Sequence, residues 1–235
     1  MRTRMAMVLT HLWDPVSIEH MSKKIGIIGT GAVGKALAAG FIKHGHHVRI
    51  ATREAAKLAE WHKGHPQVAL GKHAEVAAWA DVLVLATKGS AAEEALALCG
   101  RENCAGKTMI DATNPIADAP PDHGVLRFFT TLEGSLMERL QKAFPDLRFV
   151  KAFNSVGSAL MVDPDFGGIK PTMFICGNNA DAKSETSAIL DQFGWEVADM
   201  GGAEGARAIE PLCMLWCIPG FARNQWSHAF KLLNH

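Results

Sequence analysis

The sequence predicts an α/β protein built on a doubly wound parallel sheet, with a small C-terminal α/β extension. Three observations carry this. From Lys24 onward, short β-branched runs alternate with longer alanine-rich stretches. The run 81–86, DVLVLA, is almost wholly apolar, as a strand buried on both faces must be. The string Gly29-Thr30-Gly31-Ala32-Val33-Gly34 joins the first strand-like run to the first helix-like stretch.

The elements follow in order. Residues 25–28 read as a buried strand, followed by the glycine turn and a helix over 32–43 that Gly45 ends. A second strand spans 47–51 and a second helix 53–62. A short strand at 68–70 and a helix at 73–79 come next. The strand 81–86 leads to a helix over 90–98, and the strand 108–112 ends at Asn114-Pro115. Prolines, a glycine and Asp and His residues make 116–131 a long irregular loop. A helix over 133–144 and a strand over 148–153 complete the regular part. Beyond Asn154 the alternation loosens into a strand at 172–176, a helix at 180–193 and a strand at 196–200. A helix from 204 then runs up to Pro219, and a final short helix ends at 233. The implied division is an N-terminal extension at 1–20, read as disordered, a main domain at 21–155 and a small C-terminal domain at 156–235. Met21-Ser22-Lys23-Lys24, just before the first strand, looks like a natural start.

Composition narrows the class of partner. With 48% apolar and 20% charged residues the chain can build a sizeable core. Its 24 basic and 24 acidic residues cancel, so no global field draws nucleic acid or an anionic membrane. No segment approaches the ~18–20 apolar residues of a membrane helix; 211–222 is short and broken by Pro219. Five cysteines, Cys99, Cys104, Cys176, Cys213 and Cys217, form no CxxC pair and no even framework. Reduced thiols, and hence a cytoplasmic protein, are expected. Cys213 and Cys217 lie one helical turn apart without a third ligand at metal spacing, so they read as packing, and no metal is expected.

The glycine string meets the contextual test for a dinucleotide-binding Rossmann loop, because it follows a strand and opens a helix. The first glycine permits a tight turn, the second lets the backbone approach a pyrophosphate, and the third lets helix pack on strand. The helix start offers unpaired N–H groups to the phosphates. Where an NAD site places Asp or Glu at the end of the second strand, this chain has Thr52 and Arg53, with Lys57 one turn on. Two cations there select the extra phosphate of NADP(H). Glu54 reads as an acid serving the helix start rather than as the NAD-type carboxylate.

With Asp111-Ala112-Thr113-Asn114-Pro115 and Val150-Lys151-Ala152-Phe153-Asn154 in this order, the chain resembles a known family. It is similar to the NADPH-dependent reductases of the deazaflavin coenzyme F420, and to the cytosolic domains of the STEAP metalloreductases. The likeness runs from about Lys24 to the end, through Glu210-Pro211-Leu212, Trp216 and the terminal AFKLL. The resemblance implies a nicotinamide across the carboxyl ends of the central strands, with a deazaflavin or flavin (FAD or FMN) ring stacked on it. Ala86, Thr87 and Lys88 would line the dinucleotide, Asn114 and Pro115 the nicotinamide, and Ala152, Phe153 and Asn154 the opposite wall. Hydride transfer between two rings needs positioning more than acid–base chemistry, so no catalytic side chain is nominated. His123 reads as a solvated loop histidine, and Met214, Trp216 and Trp226 as core or subunit interface. A homodimer through the apolar helix at 208–216 is expected. Two other readings stay open. One is a carbonyl or imine reductase of the pyrroline-5-carboxylate reductase type, which usually carries a longer helical domain. The other is a non-enzymatic NADP(H)-sensing module.

Overall fold

The computed structural model describes residues 22–233, so the expected extension at 1–20 lies outside the described residues. Six strands, β1 (Lys24–Ile28), β2 (His47–Ala51), β3 (Ala69–Gly71), β4 (Val82–Leu85), β5 (Thr108–Asp111) and β6 (Arg148–Lys151), form one parallel sheet. Their order is β3-β2-β1-β4-β5-β6, the doubly wound arrangement. The chain changes direction between β1 and β4, which is where such sheets open a crevice at the strand carboxyl ends.

Strand side chains alternate between two apolar layers. Ile25, Ile27, Val82, Val84, Ile110 and Val150 enter one core, and Ile28, Leu83, Leu85, Met109 and Phe149 the other. Each strand is therefore buried on both faces, which is why the sequence shows unbroken apolar runs. Helix α1 (Ala32–Lys43) covers the first face with Leu37 and Phe41. After α2 (Ala59–Lys63), helices α3 (His73–Trp79), α4 (Ala92–Ala97), α5 (Arg101–Cys104) and α6 (Leu136–Ala143) cover the second with residues such as Val76, Leu96, Cys104 and Leu140.

The C-terminal part is a two-stranded parallel sheet of β7 (Thr172–Ile175) and β8 (Glu196–Asp199), crossed by α7 (Ala180–Gln192). Ile189, Leu190, Phe193 and Trp195 from this part share the core of β1 and α1. Side chains from both sides of residue 155 thus pack in one core.

Several elements differ from expectation for local reasons. The helix expected over 53–62 is a 3-10 turn, Ala55–Leu58, followed by α2; the Glu54 N–H donates to Thr52 Oγ1 and delays the helix. The helix expected from 133 starts at 136, where Ser135 caps it and Glu138 closes a capping box. Helix α8 (Ala206–Arg223) does not stop at Pro219. Gly220 packs flat beneath the Trp226 ring, and Asn224 ends the helix in the left-handed conformation at φ 52°. The final helix expected to end at 233 is absent. Residues 224–233 form neither helix nor strand; the Thr172 N–H donates to the Phe230 carbonyl and the Leu232 N–H to Thr172 Oγ1. The tail is tied to the start of β7 at Thr172, an outcome set by tertiary position rather than local propensity.

Candidate functional site

At the end of β1 the chain turns on Gly29 at φ 137°, and any Cβ there would strike the Ala86 carbonyl oxygen. Gly34 sits equally close to the Gly29 carbonyl, so helix and turn pack without a side chain between them. Gly31 is the opposite case: a Cβ built on it meets nothing within 4 Å. It faces open space at the start of α1, whose first turn holds no acidic residue and no side-chain cap. Unsatisfied helix amides beside a free volume fit a phosphate group.

That space belongs to a cleft of about 300 Å³ lined by Gly29, Thr30, Gly31, Thr52, Arg53, Lys57, Ala86, Thr87 and Lys88. The structure therefore gathers nine of the residues nominated from sequence on one surface. A second cleft of about 470 Å³ adjoins it, lined by Val33, Thr87, Lys88, Ala112, Asn114 and Ile116 among others. Thr87 and Lys88 belong to both, so the two form a groove across the sheet's carboxyl edge. Ala32 is exposed at the helix start and lines neither cleft.

The cations sit in paired but open positions. Arg53 Nη1 lies 3.0 Å from Glu94 Oε1 and Lys57 Nζ 3.0 Å from Glu54 Oε1, all four side chains being largely exposed. Such pairs contribute roughly 0–1 kcal/mol, so a phosphate dianion can displace the carboxylates. Glu54 stands at the start of the 3-10 turn, and its carboxylate accepts from Lys57. One cleft residue the sequence reading missed is His73. It stands there because β3 lies beside β2, with the Thr52 N–H donating to the Gly71 carbonyl. Only strand order, not local pattern, reveals that adjacency.

Farther along the groove, Asn114 Nδ2 donates to the Asn154 carbonyl at 2.8 Å. Asn154 Nδ2 donates in turn to Asn114 Oδ1 at 3.2 Å and to the Ile209 carbonyl at 2.9 Å. Asn154 is thus brought to Asn114 but is itself buried. Ala152 and Phe153 have no exposed side-chain surface, Pro115 is buried, and none of the three lines either cleft. Phe153 packs against Phe193 at a left-handed φ of 63°. The 152–154 segment supports the groove from behind.

Beneath it lies a charge cluster absent from the sequence reading. Lys151 Nζ is 2.7 Å from Asp111 Oδ2, 2.9 Å from Glu210 Oε1 and 2.9 Å from the Thr113 carbonyl it donates to. Burial alone would pull the ammonium down, but the two carboxylates outweigh it and hold its pKa above the ordinary lysine value. Glu210 also accepts the Leu136 and Met137 amides at the start of α6, and Asp111 Oδ1 accepts the Thr113 N–H and hydroxyl. The cluster fixes the turn that delivers Asn114 to the groove. Among the described residues no helix is long and apolar enough to cross a membrane.

A doubly wound sheet with an open glycine cradle and no acid at the end of β2 defines a Rossmann-type dinucleotide-binding protein. The chain belongs to the family of coenzyme F420-dependent NADP oxidoreductases, whose model matches residues 24–115. A crystal structure from Arthrobacter sp. FB24, provisionally named an F420-dependent NADP-reductase, is similar at 34% identity with a TM-score of 0.85. That match covers 91% of this chain and all of the other. Metalloreductase STEAP3 of Rattus norvegicus is 29% identical over 83% of this chain. The chain spans only 38% of that relative's length. A reductive aminase from Aspergillus terreus, solved with NADPH and ethyl levulinate, shares the fold at 21% identity and a TM-score of 0.61. It covers 85% of this chain and 62% of its own.

Proposed function

We propose that the chain binds NADP(H) along this groove and passes a hydride between it and a deazaflavin, coenzyme F420, or a flavin. The observation that carries the reading is the contrast within the glycine loop: Gly29 and Gly34 are closed by neighbouring backbone, while Gly31 opens on the cleft. When bound, the nicotinamide supplies the hydride. The remaining work is positional. The amides at the start of α1 hold the pyrophosphate, Thr52, Arg53 and Lys57 hold the adenosine phosphate, and the pinned Asn114 side chain orients the nicotinamide end. Ala86 to Lys88 form the floor between them. Ordering two rings at reacting distance and avoiding solvent reorganisation can lower such a barrier by about 7–11 kcal/mol. The acceptor assignment draws on the family and on the name of the Arthrobacter relative.

Residues 156–235 supply the acceptor side and a subunit contact in this reading, and the free cysteines suit a reducing cytoplasm. The test is to mix protein and NADPH with F420, FMN, FAD or a ferric chelate and follow the nicotinamide absorbance. Oxidation with F420 or a flavin is expected. Binding of NADPH without oxidation by any of them would reduce the protein to a nucleotide sensor.

A further inference from the structure

His73 is the cleft's unassigned titratable group. It lines the same surface as Thr52, Arg53 and Lys57, half-buried, on a strand-to-helix junction held beside β2 by the Thr52–Gly71 hydrogen bond. We propose that His73 is a further ligand of the adenosine phosphate of NADP(H). It takes up one proton from solvent as the cofactor binds, so the choice of NADP(H) over NAD(H) depends on pH. This rests on the NADP(H) reading above.

The charges around His73 come from every neighbouring segment. Arg53, Glu54 and Lys57 follow β2, Lys88 follows β4 and Glu94 lies on α4, while Lys72 and Glu75 flank it on its own segment. Arg53 and Lys57 are matched by Glu94 and Glu54. Burial, and secondarily the charge of Arg53, hold the imidazole below its ordinary value of 6.5 and so favour its neutral form in the free protein. A phosphate dianion placed among these cations reverses the balance. It stabilises the imidazolium, raises the pKa and so binds more tightly as pH falls through the histidine range. The phosphate's own second ionisation, near pH ~6, acts in the opposite direction. A variant without the imidazole separates the two.

The experiment is calorimetry of the full chain with NADPH and with NADH between about pH 8 and about pH 6, in buffers of differing ionisation enthalpy. Wild type is expected to take up a proton with NADPH that it does not take up with NADH. His73→Gln should lose that excess uptake and about tenfold of the NADPH affinity near pH 6, with NADH unchanged. His73→Arg, permanently charged, should keep NADPH affinity with no excess uptake. Proton uptake and affinity in His73→Gln that match wild type would overturn the assignment. If wild type binds neither nucleotide, the cofactor reading itself fails, which is a distinct result.

Discussion

Lys151 Nζ and Asp111 Oδ2 meet at 2.7 Å with neither side chain exposed to solvent, and Glu210 closes the cluster from α8. One cation between two carboxylates leaves an excess negative charge, which the two α6 amides on Glu210 offset. Removing the cation alone strands both acids. Lys151→Met should therefore lower unfolding free energy at neutral pH by about 3–5 kcal/mol. A urea titration reads this directly; a loss under ~1 kcal/mol would mean the cluster is not a structural lock.

Glu138 gives a pH dependence of known sign. The Arg207 guanidinium, aided by Ser135 and opposed by partial burial, holds its carboxyl at about 2, against an ordinary 4.5. A depressed carboxylate contributes stability that is fully present above the unfolded value and is lost as pH falls through the folded one. The loss should fall between pH 4.5 and about 2. Glu138→Gln and Arg207→Ala should flatten the denaturant midpoint across that window. An unchanged slope in both variants would assign the acid sensitivity elsewhere.

The strands and the glycine loop were legible because their determinants are local. A strand buried on two faces shows as an apolar run; Gly34 answers to the Gly29 carbonyl within the turn and Gly31 to the space before α1, while Gly29 turns the chain at a positive φ against the Ala86 carbonyl that follows β4. The Ser135-x-x-Glu138 spacing was equally readable as a helix start and would have moved the boundary from 133 to 136. The Lys151–Glu210 contact was not legible, since it joins β6 to a helix far along the chain. His73 and the tail at 224–233 belong to the same class: each is placed by a strand neighbour, β2 or β7, that local pattern does not name.

Cofactor preference should hinge on Arg53. Its exposed pair with Glu94 costs little to exchange for a phosphate. A charge-assisted hydrogen bond is worth about 1.5–3 kcal/mol, so Arg53→Ala should weaken NADPH binding by about tenfold or more. NADH, lacking the phosphate, should change little. Equal losses for both nucleotides would remove Arg53 from the discriminating site.

Helix α8 leaves apolar side chains uncovered, with Leu215 55% and Phe221 47% exposed and Leu212 and Ile218 half-buried. Large apolar side chains exposed together on one helix often mark an interface. A homodimer through α8 is the expected state, and Leu215→Glu with Phe221→Glu should shift it to monomer without loss of helicity. Light scattering at micromolar concentration decides; a monomeric wild type ends the expectation.

The three loop glycines should separate folding from binding. Gly29→Ala meets the Ala86 carbonyl at a positive φ, and Gly34→Ala meets the Gly29 carbonyl, so both should destabilise the fold, by roughly 1–3 kcal/mol for the backbone strain alone at Gly29. Gly31→Ala meets nothing, so its thermal midpoint should stay at the wild-type value. Its methyl group occupies the space proposed for the pyrophosphate, so binding of NADPH and NADH should fall together. Differential scanning fluorimetry and nucleotide titration on the three variants give opposite orders under this account. A Gly31→Ala variant that binds both nucleotides normally would show that the open space before α1 is not where the phosphates rest.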